Sequence, residues 1–295
     1  MGTVVALGNF DGLHAGHMAV IDAAKDMAKR LHVMPFALVF KEHPMTVLTG
    51  EPFACLFTAD QRAAAFKQAG VTLCLLDFME LKDMEPREFF DKIIVKRMGA
   101  KGVCCGFNYT FGKNGLGTPK DLKQFCDEAG IEFSMSDELD FEGEPISSSR
   151  IRDEIENGDI EKANKMLGYA FSFRQVVIDG DKRGRIMGTP TINQSLPKDI
   201  IHPRNGVYVS KVYCFDREYF AITDIGTRPT IYNDGEPVVE THILDFNGNL
   251  YGQVIKVELL SYIREEKKFD GVAELEKQIC EDKKSALHYI NNMII

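Results

Sequence analysis

None of the seven cysteines forms a CxxC pair, no run is apolar for the length of a membrane span, and acids outnumber bases 44 to 35. Each absence excludes something. Without CxxC spacing there is no zinc-ribbon or thioredoxin-type signature. The odd cysteine count and apolar settings such as Val103-Cys104-Cys105 read as buried free thiols in a reducing compartment. The start, Met1-Gly2-Thr3-Val4-Val5-Ala6, has no basic leader, so a cytoplasmic location is expected. A net charge of −9 is the wrong sign for broad nucleic-acid or membrane-surface binding, so an anionic substrate must meet locally placed positive groups. Repeats and low-complexity segments are also missing. What remains is a chain of 295 residues, 44% hydrophobic and 27% charged, with room for two ordinary domains.

The two halves are patterned differently. Strand-like runs alternate with helical stretches up to Met135. Signals include a capping box at Thr58 to Gln61 with a stop at Gly70, and Thr118-Pro119 opening a helix that ends at Gly130. This βαβα order predicts a parallel sheet with helices on both faces. From about Phe171, strand-like runs follow one another, separated by turns such as Asn205-Gly206 and Asn247-Gly248-Asn249. They predict a small antiparallel β-barrel with a terminal helix from about Asp270 to Asn291. Residues 147–168 read as helical with a break at Gly158-Asp159, and the domain boundary is set at 1–169 and 170–295.

The run Gly8-Asn9-Phe10-Asp11-Gly12-Leu13-His14-Ala15-Gly16-His17 stands where the first strand gives way to the first helix. Gly8, Gly12 and Gly16 allow close backbone approach, and a helix start offers free N–H groups and the positive end of its dipole to an anion. His14 and His17, three apart, share a face of the first turn. Together they suit the charge that builds during in-line displacement at phosphorus. A purely geometric turn is the bland alternative. A zinc pair lacks further ligands nearby.

This HxGH run, with Phe10 inside it, resembles the signature of the nucleotidylyltransferase superfamily, and in its length the FMN adenylyltransferase branch with its Rossmann-like domain. Phe107-Asn108-Tyr109-Thr110-Phe111-Gly112 and Ile146-Ser147-Ser148-Ser149-Arg150-Ile151-Arg152 resemble two further motifs of that module. The serine run by itself is as compatible with an N-cap.

In the second half, Gly180-Asp181-Lys182-Arg183-Gly184-Arg185 and Gly188-Thr189-Pro190-Thr191-Ile192-Asn193 could cradle phosphates or make a hairpin turn. Thr191 and Asn193 face the same way in an extended segment and could offer neutral oxygens to Mg²⁺. Glu240 interrupts an apolar run, either as an outward salt-bridged acid or as a working one. With Gly206-Val207-Tyr208, Gly226-Thr227-Arg228-Pro229-Thr230, Val239-Glu240-Thr241-His242 and Leu250-Tyr251-Gly252, the set resembles the riboflavin kinase module. The order of the two modules is that of the bifunctional FAD synthetase family.

The resemblance implies two ATP-dependent reactions, riboflavin to FMN and FMN to FAD with release of pyrophosphate. It makes Glu240 the base for the ribityl 5′-hydroxyl, gives Thr191 and Asn193 to Mg²⁺–ATP, and lays Gly184, Arg185 and Gly188 over phosphates. His14, His17, Asn108 and Arg152 would stabilise charge in the first domain, with Ser148 and Ser149 on ATP phosphates, and His43 and Arg264 would lie toward the flavin. The chain departs from the family pattern at Phe40-Lys41-Glu42-His43-Pro44, where Asp-Pro commonly stands for Lys41-Glu42, and at Thr189 and Ile192 of the Pro-Thr-x-Asn segment. Two rivals stay open: a transferase with only one of these activities or acting on another phosphorylated cofactor, and a flavin-binding regulatory or storage module with vestigial catalysis. Small molecules, not nucleic acid or membrane, are the expected partners.

Overall fold

The computed structural model describes residues 2–179, 190–227 and 237–294. The chain divides into two compact units, Met1–Arg150 and Ile151–Ile295.

The first unit is built on a parallel sheet of β1 (Thr3–Leu7), β2 (Met34–Phe40), β3 (Thr72–Leu76), β4 (Ala100–Gly106) and β5 (Glu132–Ser136), in the order β3-β2-β1-β4-β5. Its helices are α1 (Ala15–Leu31), α2 (Pro44–Thr49), α3 (Ala59–Ala69), α4 (Phe78–Leu81), α5 (Pro86–Phe89) and α6 (Pro119–Ala129). β1 reads as an unbroken apolar run because both its faces are covered. Val4 and Ala6 pack with Ile21, Ala24 and Phe66 on one side, Val5 and Leu7 with Phe90, Ile94 and Leu122 on the other. The cap signals are realised: Thr58 and Thr118 each close a capping box, and Gly70 and Gly130 end their helices in the left-handed conformation. The helix opening at Pro86 does not stay α-helical, since α5 passes into a π-helix at Phe90–Arg97, with Met98 N–H donating to Ile93 O at 3.0 Å. The chain steps outward from β1 to β3 and returns to β4 on the other side of β1. That reversal opens a crevice at the carboxyl ends of β1 and β4.

A two-stranded hairpin, β6 (Asp140–Phe141) and β7 (Glu144–Pro145), follows; the Arg150 guanidinium donates to Phe141 O and Glu144 O. The helical stretch after it breaks at Gly158 as expected, into α7 (Ser148–Asn157) and α8 (Ile160–Leu167). From Ile151 onward this stretch goes with the second unit, so the compact division falls earlier than the boundary after residue 169 drawn from strand patterning. The cause is local bonding. Asn164 Nδ2 donates to Leu259 O and its Oδ1 accepts the Phe171 N–H, while Arg204 N–H donates to Ile155 O.

The second unit is an antiparallel sheet of β8 (Ser172–Val176), β9 (Thr191–Ser195), β10 (Gly206–Cys214), β11 (Arg217–Thr227), β12 (Pro237–Ile243) and β13 (Val254–Arg264), in the order β8-β13-β10-β11-β12-β9. The two ends of that order approach closure. Ile178 bridges to Asn193, and Gln194 Nε2 donates to Gln175 O and Ile255 O. The interior carries a buried hydroxyl chain, Ser210 to Thr223 at 2.7 Å and Thr223 to Thr241 at 3.0 Å. On the outer face, Val207, Val209, Ile222 and Leu260 pack against Ala286 and Ile290 of α9 (Val272–Ile294).

Candidate functional sites

The Gly8–His17 run occupies the mouth of the first unit's crevice and holds an unusual backbone. Phe10, Gly12 and Leu13 have φ of 51°, 81° and 38°. Phe10 and Leu13 are kept there by burial, and such clustered strain is a mark of sites held for function. Phe10 meets the ring of His17 edge-on at 5.3 Å and that of Phe66 at 5.6 Å. His14 caps α1 with its own ring, Nδ1 accepting the His17 N–H at 3.4 Å, and the two imidazoles stack at 3.7 Å. Burial, and then His14, hold the pKa of His17 well below its ordinary value, and its Nδ1 is buried with no hydrogen-bond partner among the described residues. A neutral His17 imidazole at a helix N-terminus is a hydrogen-bonding group rather than a fixed cation.

Distant segments converge on this turn. Asp11, buried, accepts the Leu56 N–H at 2.8 Å, and Ser148 donates to Asp11 O at 3.0 Å. The serine run therefore touches the turn as well as capping, since Ser147 accepts the Arg150 N–H. Ser149 is exposed. Asn108 follows β4, exposed above Gly106, beside the strand that leads into Gly8. Gly16 sits against the His14 ring. Arg152 lies one turn along α7 from Ser148, beyond the limit of the first unit.

A cavity of about 210 Å³ opens at the carboxyl ends of β1, β2 and β3, lined by Gly8, Phe40, Phe78, Tyr109 and Phe111 among others. His43 caps α2 and stacks on Phe53, rings 3.9 Å apart and nearly parallel. Lys41 reaches Asp77 at 3.7 Å, both side chains largely exposed.

The second unit assembles its polar residues through strand register. Asn193 stands opposite Glu240, and Glu240 opposite Asp224. Paired residues project to the same face, so this row lies on the outer face that α9 partly covers. Thr191 pairs with His242, whose Nδ1 donates to Pro190 O at 2.9 Å and whose pKa is lowered by burial. A cavity of about 280 Å³ lies beside Pro190 and Thr191, walled by Phe246, Leu250 and Tyr251. Arg264 is held by both oxygens of Asp282 at 2.9 and 2.8 Å, with its guanidinium 5.9 Å above the Phe269 ring. Gly184, Arg185 and Gly188 lie outside the described residues.

Asp224 and Asp282 escaped the sequence reading. Asp224 had the same signal as Glu240, an acid inside an apolar strand run, Ile222 to Ile225. Asp282 lies in a charged helix, where nothing marks one carboxylate from the next.

The FAD synthetase family model matches residues 1–150 and the riboflavin kinase family model residues 167–290. A Bacillus subtilis protein named bifunctional riboflavin kinase/FMN adenylyltransferase is 37% identical, covering 99% of this chain and 93% of its own. Its Listeria monocytogenes namesake is 34% identical over 95% and 90%. The crystal structure of a macrolide-efflux protein from Streptococcus pneumoniae superposes with a TM-score of 0.88 at 34% identity, over 97% of this chain and 93% of that one. Among the described residues no helix is long and apolar enough to cross a membrane.

Proposed function

The chain belongs to the family of bifunctional riboflavin kinases/FMN adenylyltransferases, and we propose that it performs the kinase step on the outer face of the antiparallel sheet and the adenylyl transfer at the crevice of the parallel one. What supports this division is that each unit holds groups suited to phosphate, the Gly8–His17 turn in the first and Thr191, Asn193 and Glu240, gathered by strand register, in the second.

In the second unit Glu240 takes the proton of the ribityl 5′-hydroxyl as that oxygen attacks the γ-phosphorus of ATP; the bond to the β,γ-bridging oxygen breaks and ADP leaves. Asn193 stands opposite Glu240 on the adjacent strand, with Thr191 two residues along that strand, and both supply hard, neutral oxygens. Among the described residues no group of three or more His, Cys, Asp or Glu could cage a metal. That donor set fits Mg²⁺ carried mainly by phosphates and water, where it would neutralise charge on the transferring phosphoryl group. The cavity beside Pro190 and Thr191 suits the nucleotide base.

In the first unit the FMN phosphate attacks the α-phosphorus of ATP and pyrophosphate leaves. The strained turn and the start of α1 offer N–H groups to the phosphates. His14 and His17 supply hydrogen bonds to charge that develops in the transition state, with Asn108 from the neighbouring strand end. The aromatic cavity lined by Phe40, Phe78, Tyr109 and Phe111 suits the isoalloxazine ring. His43, engaged with Phe53, shapes its border through α2. A cytoplasmic setting is supported by seven free thiols.

Incubation with riboflavin, ATP and Mg²⁺, followed by chromatography, tests the whole reading. FMN must appear first and FAD after it. A chain yielding FMN alone, FAD only from supplied FMN, or bound but unchanged riboflavin would overturn it.

A further inference from the structure

The row on the outer face of the second sheet continues past Glu240 and Asp224: Asp224 pairs with Val207, and Val207 with Arg264. Asn193, Glu240, Asp224, Val207 and Arg264 thus form a line across five adjacent strands, from the phosphate end to the residue held by Asp282. With strands about 4.8 Å apart, Asp224 lies roughly 5 Å from Glu240 along this line and Arg264 roughly 14 Å. A riboflavin whose 5′-hydroxyl meets Glu240 extends its five-carbon chain along the same line. With bonds of about 1.5 Å that chain spans roughly 6 Å. It reaches Asp224 and ends short of Val207, which α9 buries. Taking Glu240 as the base, we propose that Asp224 is a specificity residue of the kinase reaction, its carboxyl hydrogen-bonding the secondary hydroxyls of the ribityl chain.

The surroundings of Asp224 support that role. Its carboxyl makes no hydrogen bond or ion pair with any described residue, while solvent still reaches it. Protein crowds it nonetheless: Glu240 faces it from β12, Arg264 and Glu266 from the end of β13 and just beyond, and Asp282 from α9. Glu266 folds directly over Gly226, two residues along the same face, where a Cβ would lie 1.9 Å from its Oε1. Burial, then Glu266, raise the Asp224 pKa to about 7 against the pull of Arg264. At neutral pH the group therefore exists in both forms. The protonated carboxyl donates and accepts, the ionised one accepts, and a hydroxyl answers either. An apolar residue here would leave those hydroxyls unpaired in the complex, which is how a site reads a polyol chain.

The test pairs riboflavin with a flavin whose ribityl group is replaced by 5-hydroxypentyl, which keeps the reacting hydroxyl and loses the secondary ones. In the full chain, Asp224→Ala should lower kcat/KM for riboflavin about 10–100-fold, as for loss of a hydrogen bond to a charged or strongly polar group. The analogue should lose less than about threefold, because the bonds removed by the variant are ones it never made. Asp224→Asn, which retains shape, a donor and an acceptor, should keep most of the preference for riboflavin. Turnover of the analogue in the same unit reports that each variant is folded. Equal losses on both flavins in either variant would overturn the proposal, as would an unchanged preference in Asp224→Ala. Glu240→Gln separates the two levels. If it leaves turnover of both flavins intact, the base assignment fails; if it abolishes both while Asp224→Ala spares the preference, Asp224 alone is misassigned.

Discussion

The phosphate site proposed for the first unit is one continuous ten-residue turn, and that proposed for the second is a set of side chains gathered from separate strands. In the first, the backbone itself is the instrument: three left-handed residues in four and a histidine cap stacked on its neighbour. In the second, backbone groups are committed to the ladder and only register brings Asn193, Glu240 and Asp224 together. A contiguous turn can be lost or kept as a block, whereas a row across strands can be dissected one side chain at a time. The experiments that follow press on that difference, beginning with the largest effect.

Glu240→Gln keeps the shape of the proposed base and removes its function, so phosphorylation of riboflavin should fall about 10²–10⁴-fold. FAD formation from supplied FMN should continue at the wild-type rate. Parallel loss of both reactions in a folded variant would erase the division between the units. The reciprocal change, His17→Ala, removes a donor from the turn and should slow adenylyl transfer about 10²–10³-fold, so that FMN accumulates. Wild-type FAD yields from that variant would make the imidazole pair a structural feature of the turn.

Where the units part is open to measurement as well. A fragment of residues 151–295 retains α8 on β13, including buried Ile160, Met166 and Leu167. A fragment of residues 170–295 exposes the surface they cover and leaves Leu259 O and the Phe171 N–H without Asn164. At about 1.5–3 kcal/mol for each large side chain, the shorter fragment should be less stable by roughly 5 kcal/mol in urea titration. Equal midpoints would show that α8 adds nothing to the kinase unit.

The pH response of the two units should differ. His17 is held neutral in the folded chain, so as pH falls below its ordinary 6.5 the unfolded chain takes up the proton first and stability drops toward the lower folded-state pKa. Asp224 has the opposite sense: its raised pKa favours the protonated folded state, so its contribution is lost as pH rises through about 7. Thermal unfolding of wild type against His17→Gln should give a constant difference above pH 7, with wild type losing ground between pH 6.5 and 5. Parallel curves throughout that range would mean the imidazole titrates normally.

Much of this was legible in the sequence, and what was not has a common cause. Capping boxes, αL glycines and the Gly8–His17 turn are local, so their chemistry is written in neighbouring residues. The approach of Ser148 to Asp11 and the row through Asp224 to Arg264 depend on contacts across more than a hundred residues and across strand pairings, which no window of sequence contains. The compact division at Ile151 is not written in the sequence of helices α7 and α8, because it depends on the bonds of Arg204 and Asn164 to distant backbone groups. Arg264 was expected toward the flavin; its bidentate hold on Asp282 supplies a fixed orientation that the run Ile263 to Phe269 does not announce.

The smallest effect expected is at Lys41, the clearest departure in the first unit. Here lysine stands at the sheet edge where the family pattern commonly has an acid. Its ammonium lies 3.7 Å from Asp77, with both side chains more than 40% exposed, and its backbone is pinned independently, its N–H donating to Leu76 O and its carbonyl accepting from Arg62. The turn left without proline is therefore tied by backbone bonds that no substitution at Lys41 removes. An exposed pair of this kind contributes about 0–1 kcal/mol and is screened by salt. Lys41→Ala should accordingly change the KM for FMN by no more than about threefold, with kcat unaltered, since loss of the partner leaves Asp77 free in water. Measured at several salt concentrations, a large rise in KM that shrinks as salt increases would instead identify Lys41 as a phosphate ligand released from Asp77 when FMN arrives. That result would extend the first unit's instrument from a backbone turn to a turn with a cation beside it, narrowing the contrast with the side-chain row of the second.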